Sequence, residues 1–226
     1  MSGPSESNVS ENFQTFFNGW LLRQENFLRQ LVHSTNENET QWQGNLIQQV
    51  LSHYQQYLEE KTRAVKEEVF LFFSPPWLTT FEKTLLWIGG FKPFLLFNIL
   101  ANSVTELTPE QQESVERVKN ETRREERELA EAMATIQESV AMPPLWDLAR
   151  RSGKLIDGET SELESAMEKL KAAMVRTVEK ADNLRSSTAK KVIEILSPTQ
   201  TVKFLAASAE FQLSVRKWGS IKDQGR

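Results

Sequence analysis

The chain has 226 residues, a net charge of −4 and 26% charged residues, which is typical of a globular fold with one large domain or two small ones. The acidic balance argues against a strongly basic surface for nucleic acid. Because the sequence contains no cysteine, disulfides, zinc–thiolate sites, iron–sulfur clusters and thiol nucleophiles are all excluded.

The N-terminal segment, residues 1–10, is polar and rich in serine. It has neither the basic stretch nor the apolar stretch of a secretory signal peptide. A segment with so few apolar residues cannot bury enough surface to offset the entropy lost on folding. We therefore predict that residues 1–10 form a disordered tail.

Two amphipathic helices are predicted next, because apolar residues recur at the spacing of one helical face. The first helix covers residues 13–31 and the second covers residues 42–58. The second pattern can continue as far as Phe73. Pro75 and Pro76 must end it there, because proline has no backbone N–H and clashes with the preceding turn.

Three capping boxes mark the starts of later helices. In this motif a serine or threonine and a glutamate or glutamine three residues later bond each other's backbone N–H groups. The pairs are Thr79 with Glu82, Thr108 with Gln111, and Ser197 with Gln200. In the last two, a proline follows at the first helical position, where its missing N–H is not needed.

Two long helices dominate the second half of the chain, at residues 109–141 and 161–196. The segment 142–160 between them contains two prolines and two glycines and is predicted to be a loop, with a short turn at 145–149. A last helix starts at Pro198 and carries apolar residues as far as Trp218, and residues 219–226 are predicted to be a C-terminal tail.

The fold class follows from these elements. No stretch alternates apolar and polar residues over several positions, so no strand is predicted. We predict an all-α, single-domain bundle of about six to eight helices, in which the two long helices run antiparallel.

The segment SPPWLTTFEKTLLWIGGFKP (74–93) is unusually rich in aromatic residues. A membrane span is disfavoured because Lys92 and Pro93 interrupt the apolar run. A phosphate loop is disfavoured because Gly89 and Gly90 follow a helix and match no phosphate-binding motif. We predict a helical hairpin, with helices at 80–88 and 93–101 and a glycine cap between them.

The aromatic side chains of this hairpin are candidates for an apolar pocket or a partner surface, with burial in the core as the competing role. They are Trp77, Phe81, Trp87, Phe91 and Phe94. Tryptophan is enriched among the residues that dominate binding energies at interfaces. We therefore also name Trp20, Trp42 and Trp218 as candidate interface anchors, again with core packing as the alternative.

An enzyme is not indicated by the sequence. The two histidines, His33 and His53, lie in no metal-binding or di-iron pattern, and no nucleophile motif or calcium loop is present. A histidine-ligated haem has no second signature to support it. The segment ERVKNETRREERELAE (116–131) contains five basic and six acidic residues, so it is interpreted as a solvated helix with internal ion pairs.

Three stretches together resemble the plant delay-of-germination domain, which also forms the C-terminal part of TGA-class bZIP transcription factors. They are FFNGWLLRQENFLRQL (16–31), VLSHYQQYLEEKTRAVKEEVFLFFSPPWLTTFEKTLLWIGGFKP (50–93) and KADNLRSSTAKKVIEILSPTQTVKFLAASAEF (180–211). The H-Y-x-x-Y spacing, the W-I-G-G-F-K-P segment and the A-D-N-L-R run occur in this order. The resemblance extends over residues 11–218.

The resemblance implies a plant regulatory protein without catalytic activity. Such proteins act in seed dormancy, in responses to abscisic acid and salt or other stress, and in transcriptional control. It implies protein partners, which would be signalling phosphatases, co-regulators or bZIP factors, and it allows a homo-oligomer. TGA factors bind DNA through a region upstream of this domain. Since only about ten polar residues precede the domain here, direct DNA binding is not expected.

Two alternatives stay open. One is a sensor for an apolar, fatty-acid-like ligand, held near residues 77–101 with Arg23 and Lys92 as contacts for its carboxylate. The other is a transcription regulator that contacts DNA directly or through bZIP partners. We expect no membrane association. A chain of 26.0 kDa without a basic import cluster is expected in both nucleus and cytoplasm.

Overall fold

The computed structural model describes residues 4–34, 40–143, 145–151 and 157–225, and these residues are almost entirely helical. The helices are α1 (Pro4–Ser34), α2 (Thr40–Glu67), a 3-10 helix (Val69–Phe72), α3 (Thr80–Thr84), α4 (Leu95–Ser103), α5 (Pro109–Val140), α6 (Leu145–Arg150), α7 (Asp157–Ile195) and α8 (Pro198–Gln224). Two short strands, β1 (Leu86–Trp87) and β2 (Gly90–Phe91), lie between α3 and α4. The all-α prediction is confirmed.

All three predicted capping boxes are present and start α3, α5 and α8. At α3, the Thr79 hydroxyl accepts a hydrogen bond from the Glu82 N–H at 3.2 Å. In return, the Glu82 carboxylate accepts one from the Thr79 N–H at 2.8 Å. These bonds satisfy N–H groups that have no partner inside the helix, and they fix where each helix begins.

The two long helices, α5 and α7, pack against each other in antiparallel directions, as predicted. The Gln111 amide near the start of α5 donates to the Ile195 carbonyl at the end of α7, at 2.8 Å. Further along, the hydroxyls of Thr122 and Thr188 are 3.2 Å apart in the buried interface. As the α5 number rises, the α7 number falls, which defines the antiparallel arrangement.

The core consists of two apolar clusters, and Tyr54 packs against both. The first includes Phe13, Phe17, Trp20, Val65, Phe72, Trp77, Ile88 and Val178. The second includes Leu31, Leu46, Val50, Phe97, Leu100, Val192, Val202 and Phe204. Both clusters draw on α1, α2 and α7, so these long helices tie the two ends of the fold together. None of the described helices combines the length and apolarity needed to cross a bilayer.

The ends of the chain differ from the prediction of two tails. Helix α1 begins at Pro4, so residues 4–10 are helical, and Val9 is buried in the first cluster one turn before Phe13. Helix α8 continues to Gln224. The part of α8 that was predicted to be a tail packs closely on Thr79. A Cβ at Gly219 would lie only 2.0 Å from the Thr79 hydroxyl.

The segment 142–160 is more ordered than the predicted loop. The turn expected at 145–149 is helix α6, and α7 begins at Asp157, four residues earlier than predicted. Pro144 and residues 152–156 lie outside the described residues. Helix α5 therefore ends at Val140, before Pro143, and α6 forms before α7 begins.

The predicted helical hairpin at 80–101 is partly wrong. Helix α3 ends at Thr84, and Leu86–Trp87 pairs antiparallel with Gly90–Phe91. The two turn residues, Ile88 and Gly89, both have positive φ, of 45° and 70°, as tight two-residue hairpins require. Positive φ is unfavourable for a β-branched residue, and the burial of Ile88 in the first cluster compensates for it.

Two further boundaries also move. The predicted continuation of α2 to Phe73 is a separate 3-10 helix at Val69–Phe72, since the α-helix ends at Glu67. The second helix of the hairpin is α4, at Leu95–Ser103 instead of 93–101. The first change shortens α2, and the second moves α4 by two residues without changing its length.

Candidate functional site

Arg185 of α7 holds the β1–β2 hairpin through its backbone carbonyls. Its Nε donates to the Phe91 carbonyl at 2.7 Å, and its Nη2 donates to the Ile88 carbonyl at 3.0 Å and also to that of Trp87. The guanidinium carbon lies 5.4 Å from the centre of a Trp87 ring. A planar, always charged guanidinium suits this fork of contacts, which a lysine cannot reproduce.

The structure explains why both central positions of the W-I-G-G-F segment are glycine. Gly89 occupies the left-handed region at φ 70°, where a side chain is strained. Gly90 lies against the clamping arginine, because a Cβ there would be 2.9 Å from the Arg185 guanidinium carbon. The motif and Arg185 therefore form one unit, although about 95 residues separate them in the sequence.

A buried ion pair supports the arginine from the opposite side. Asp182 Oδ1 accepts hydrogen bonds from Arg185 at 2.6 Å and from Lys61 of α2 at 2.7 Å. Lys61 is only 1% exposed, and burial lowers its pKa to about 8, against the opposing attraction of Asp182. Burial, with Asp182 as the next contributor, raises the pKa of the neighbouring Tyr57. Lys61, Asp182 and Arg185 form a buried charge trio that joins α2, α7 and the hairpin.

A second charged contact joins α8 to α3. The Arg216 guanidinium donates to the Glu82 carboxylate and to the Trp77 carbonyl, both at 3.1 Å. It also lies 5.3 Å from the centre of the Phe17 ring. Glu82 therefore serves both as the capping residue of α3 and as the partner of α8. Because Glu82 is buried, replacing Arg216 would leave its carboxylate without a counter-charge, which is destabilising.

A third contact fixes the start of α4 against α5. The Glu126 carboxylate accepts the Phe94 N–H at 2.7 Å and lies 3.5 Å from the Lys92 ammonium. The Arg123 guanidinium lies 4.3 Å from the centre of the Phe94 ring. Lys92, predicted as a head-group contact, is thus placed beside a carboxylate. Arg23, the other predicted contact, is exposed and donates to the Gln56 side chain at 3.3 Å.

The five candidate pocket aromatics contact different parts of the fold. Trp77 is buried against Phe13, with ring centres 4.7 Å apart. Phe91 packs on Phe211 at 5.9 Å, and Phe81 lies 6.3 Å from Trp218. Trp87 and Phe94 each face an arginine, as described above. The hairpin therefore distributes its aromatics over several helices.

Two clefts in the described part of the chain lie elsewhere. One, of about 660 Å³, is bounded by the end of α5, by α6 and by the first part of α7. The other, of about 550 Å³, lies between α2 and α7, above the Lys61–Asp182 pair. Neither is lined by residues 77–101. The ligand site predicted at the aromatic hairpin thus has no support from these clefts.

The three candidate anchors have different environments. Trp20 is only 1% exposed and its indole N–H donates to the His53 carbonyl at 3.1 Å, so its assignment to a surface is corrected to the core. Trp42 is half-buried against the second cluster. Trp218 is 67% exposed and is therefore accessible to a partner.

His53 is buried in a stack with Trp20. Their ring centres are 4.5 Å apart and the rings are nearly parallel, at 7°. Burial, reinforced by the positive charge of Arg23, lowers the pKa of His53 to about 4. Its Nε2 and the Oε1 of the buried Gln24 have no hydrogen-bond partner among the described residues. A protonated imidazole is therefore disfavoured in the folded protein.

We expect His53 to make the protein less stable as the pH falls from 6.5 to 4. In this range the unfolded chain protonates His53, whose ordinary pKa is 6.5, while the folded state keeps it neutral. The unfolded state then binds more protons, so protonation favours unfolding, by roughly 2–3 kcal/mol at the acid end. Urea unfolding across this range should show a shallower pH dependence for His53→Gln, with the exposed His33→Gln as control. Equal slopes for wild type and His53→Gln would contradict the assignment.

Three of the five basic residues of segment 116–131 contact acidic or aromatic neighbours, and two of these contacts are ion pairs within the helix, as predicted. Lys119 lies 3.0 Å from Glu116, and Arg124 lies 3.9 Å from Glu128. Arg123 faces the Phe94 ring. These contacts are those of a helix on the outside of a bundle, where pairs at this spacing contribute modestly to helix stability.

Sequence reasoning missed the charged residues that organise the site. Lys61, Asp182, Arg185, Glu82 and Arg216 were not named as site residues. One signal was available: Asp182 and Arg185 flank Leu184 on the apolar stripe of α7, where a charge needs a buried partner. The partner itself was not predictable, because Lys61 is 121 positions away in the chain.

The geometry defines a helical protein whose internal charges clamp an aromatic hairpin into the bundle. Among the described residues, no group of three or more histidines and carboxylates is placed to hold a metal ion. The most exposed tryptophan, Trp218, lies on the surface of α8. The arrangement is that of a bundle held together by internal charges, with an exposed aromatic side chain.

Comparisons with known proteins identify the family. The family model described as seed dormancy control (DOG1) matches residues 24–102. The chain is 43% identical over 218 residues to Protein ZW2 of Arabidopsis thaliana, covering 93% of this chain and 97% of that protein. It is 42% identical over 217 residues to Protein RESPONSE TO ABA AND SALT 1 of Arabidopsis thaliana, covering 92% and 94%. The chain belongs to the seed dormancy control (DOG1) family, as its motifs predicted.

The same comparisons include transcription factors. Over 201 residues the chain is 29% identical to Transcription factor TGA2.3 of Oryza sativa subsp. japonica, covering 88% of this chain and 60% of that protein. The predicted relation to the TGA class is confirmed. The family is thus one of plant regulatory proteins and is related to transcription factors.

Proposed function

We propose that this protein is a non-enzymatic plant regulator that acts by binding other proteins in the response to abscisic acid and salt. The observation that carries the proposal is the 42% identity, over more than nine-tenths of both chains, to a protein named for its response to abscisic acid and salt. The description of the matching family model, seed dormancy control, supports a further role in seed dormancy.

The structure supports binding as the mode of action. The charged clamps of Arg185 and Arg216 fix the hairpin and α3 in place. A rigid scaffold loses little conformational entropy when a partner binds, which favours affinity. Exposed aromatic side chains on such a scaffold are the usual anchors of protein interfaces.

The partners we propose are signalling phosphatases, co-regulators or bZIP factors, and the protein would act in both nucleus and cytoplasm. The relation to TGA factors supports a partner in transcription. DNA contact would then come from the bZIP partner. The pairing of Lys119 and Arg124 with glutamates in segment 116–131 is consistent with this division of roles.

A loss-of-function line of the source plant tests this role. Germination and seedling growth are scored over a series of abscisic acid and sodium chloride concentrations, beside the wild type. We expect the mutant's dose–response curves to shift and a wild-type transgene to restore them. Curves that coincide with those of the wild type in both series would contradict the proposal.

A further inference from the structure

The corner where α8 crosses α3 carries an exposed apolar surface. Trp218 is 67% exposed and Ile221 is 58% exposed. Three residues apart on a helix, they lie on the same face. The half-buried Phe81 of α3 extends this face, with its ring centre 6.3 Å from that of Trp218. Large exposed apolar groups placed side by side are unusual outside interaction sites.

Lysines flank this apolar face. Lys217 lies four residues before Ile221, and Lys222 lies four residues after Trp218, so the two lysines flank the apolar pair on one side of α8. Both lysines are exposed. We call Phe81, Trp218 and Ile221 with Lys217 and Lys222 the Trp218 surface.

The two lysines of the Trp218 surface form no ion pair with the described residues. In the part of the chain that the structure describes, neither Lys217 nor Lys222 lies within ion-pair distance of a carboxylate. The nearby acids have other roles. Glu82 pairs with Arg216, and Asp223 accepts the Thr80 N–H at 3.0 Å. A locally positive surface thus remains on a chain whose net charge is −4.

The backbone beneath the Trp218 surface is fixed. Gly219, next to Trp218, packs so closely on Thr79 that a Cβ would lie 2.0 Å from its hydroxyl. The Arg216–Glu82 contact and the Asp223–Thr80 hydrogen bond hold α8 on α3 at either side of this point. The exposed tryptophan therefore stands on a rigid base, as anchors of interfaces do.

We propose that the Trp218 surface binds an acidic segment of a protein partner that inserts a bulky apolar side chain beside Trp218. Carboxylates of the segment would face Lys217 and Lys222, which matches charge to charge and directs the approach of the partner. The proposal rests on the proposed function, since it names the surface that a partner would contact. A membrane fits less well, because anionic lipid is bound by clusters of roughly four to eight basic residues.

A displayed peptide library tests the proposal. Phage carrying random peptides are selected on the full-length chain, and the enriched peptides are synthesised with a fluorescent label. We expect the enriched sequences to combine aspartate or glutamate with leucine, phenylalanine or tryptophan. Fluorescence anisotropy should show Trp218→Ala raising the Kd by about tenfold or more. Lys217→Glu/Lys222→Glu should also weaken binding, and added salt should weaken wild-type binding.

Matched control variants show whether a loss of peptide binding is specific to the Trp218 surface. Trp146→Ala removes another exposed tryptophan, which is 52% exposed on α6. Lys180→Glu/Lys203→Glu reverses two other exposed lysines. Both controls are expected to bind the peptides like the wild type. Because Trp218 and the lysines are exposed, the variants are expected to fold, which circular dichroism and urea unfolding check.

Other occupants give distinct results. Enrichment of neutral or basic peptides, no enrichment at all, or unchanged binding by Trp218→Ala would overturn the proposal. Sedimentation that shows a dimer of the wild type but a monomer of Trp218→Ala would assign the surface to a second copy of the chain and also overturn it. So would co-sedimentation with phosphatidylserine vesicles that depends on Trp218. If Trp218→Ala still recovers the plant partners of the wild type, the proposed function stands and this surface is wrong.

Discussion

Replacing Arg185 with alanine is expected to lower the free energy of unfolding by about 3–5 kcal/mol, as when one side of a buried charged contact is lost. The substitution leaves the carbonyls of Trp87, Ile88 and Phe91 without their donor and removes one of the two partners of Asp182. It also takes away the contact that holds the strained turn in place. Urea unfolding followed by circular dichroism measures the change.

Two variants sharpen this test. Arg185→Lys keeps the charge but lacks the planar fork, so it is expected to recover less than half of the lost stability. Arg124→Ala removes an arginine whose side chain is 64% exposed, and it should change stability by less than about 0.5 kcal/mol. If Arg185→Ala unfolded within about 1 kcal/mol of the wild type, the clamp would not be holding the hairpin.

Asp182→Ala is expected to have a comparable effect, of about 3–5 kcal/mol near neutral pH. It leaves Lys61, which is 1% exposed, without the carboxylate that balances its charge. Burial already lowers the pKa of Lys61 to about 8, and loss of Asp182 should lower it further. The unfolded chain then binds more protons than the folded one, so the variant should regain stability as the pH rises from 7 towards 10.5.

A compensating pair tests the mechanism of this effect. Lys61→Met/Asp182→Leu replaces the Lys61–Asp182 pair with apolar side chains, and such replacements are often neutral or stabilising. Arg185 loses its carboxylate partner in the double variant as it does in Asp182→Ala, so the comparison isolates Lys61. We expect the double variant to be more stable than Asp182→Ala and to lose the pH dependence. Asp147→Ala, at an exposed aspartate of α6, is the matched control. A double variant as unstable as the single one would show that the pair's charge balance is not what matters.

The helices were predictable because their signals are local. Each capping box involves residues three apart, and apolar periodicity repeats within every long helix. The β1–β2 hairpin was missed because it has no such local signal. Its two-residue strands are too short to show alternation of apolar and polar residues. Its turn places Ile88 at positive φ, which no propensity for isoleucine suggests. Its conformation depends on Arg185, about 95 positions away.

The residues of the candidate site were harder to predict from the sequence than the helices. Choosing tryptophans by residue type cannot separate Trp20, which is buried on His53, from Trp218, which is exposed on α8. Neighbouring charges help more, because Lys217 and Lys222 bracket Trp218 at helical spacing. Whether those charges are already paired depends on the tertiary structure, which places the nearby acids Glu82 and Asp223 against α8 and α3.

The central claim, that the protein acts through partner proteins, is tested most directly by affinity purification. The tagged chain is expressed in plant tissue with and without abscisic acid, and the proteins recovered with it are identified by mass spectrometry. We predict specific recovery of signalling phosphatases, co-regulators or bZIP factors, absent from an unrelated tagged control. A tagged chain that restores the loss-of-function line yet recovers only the proteins of that control would contradict the account.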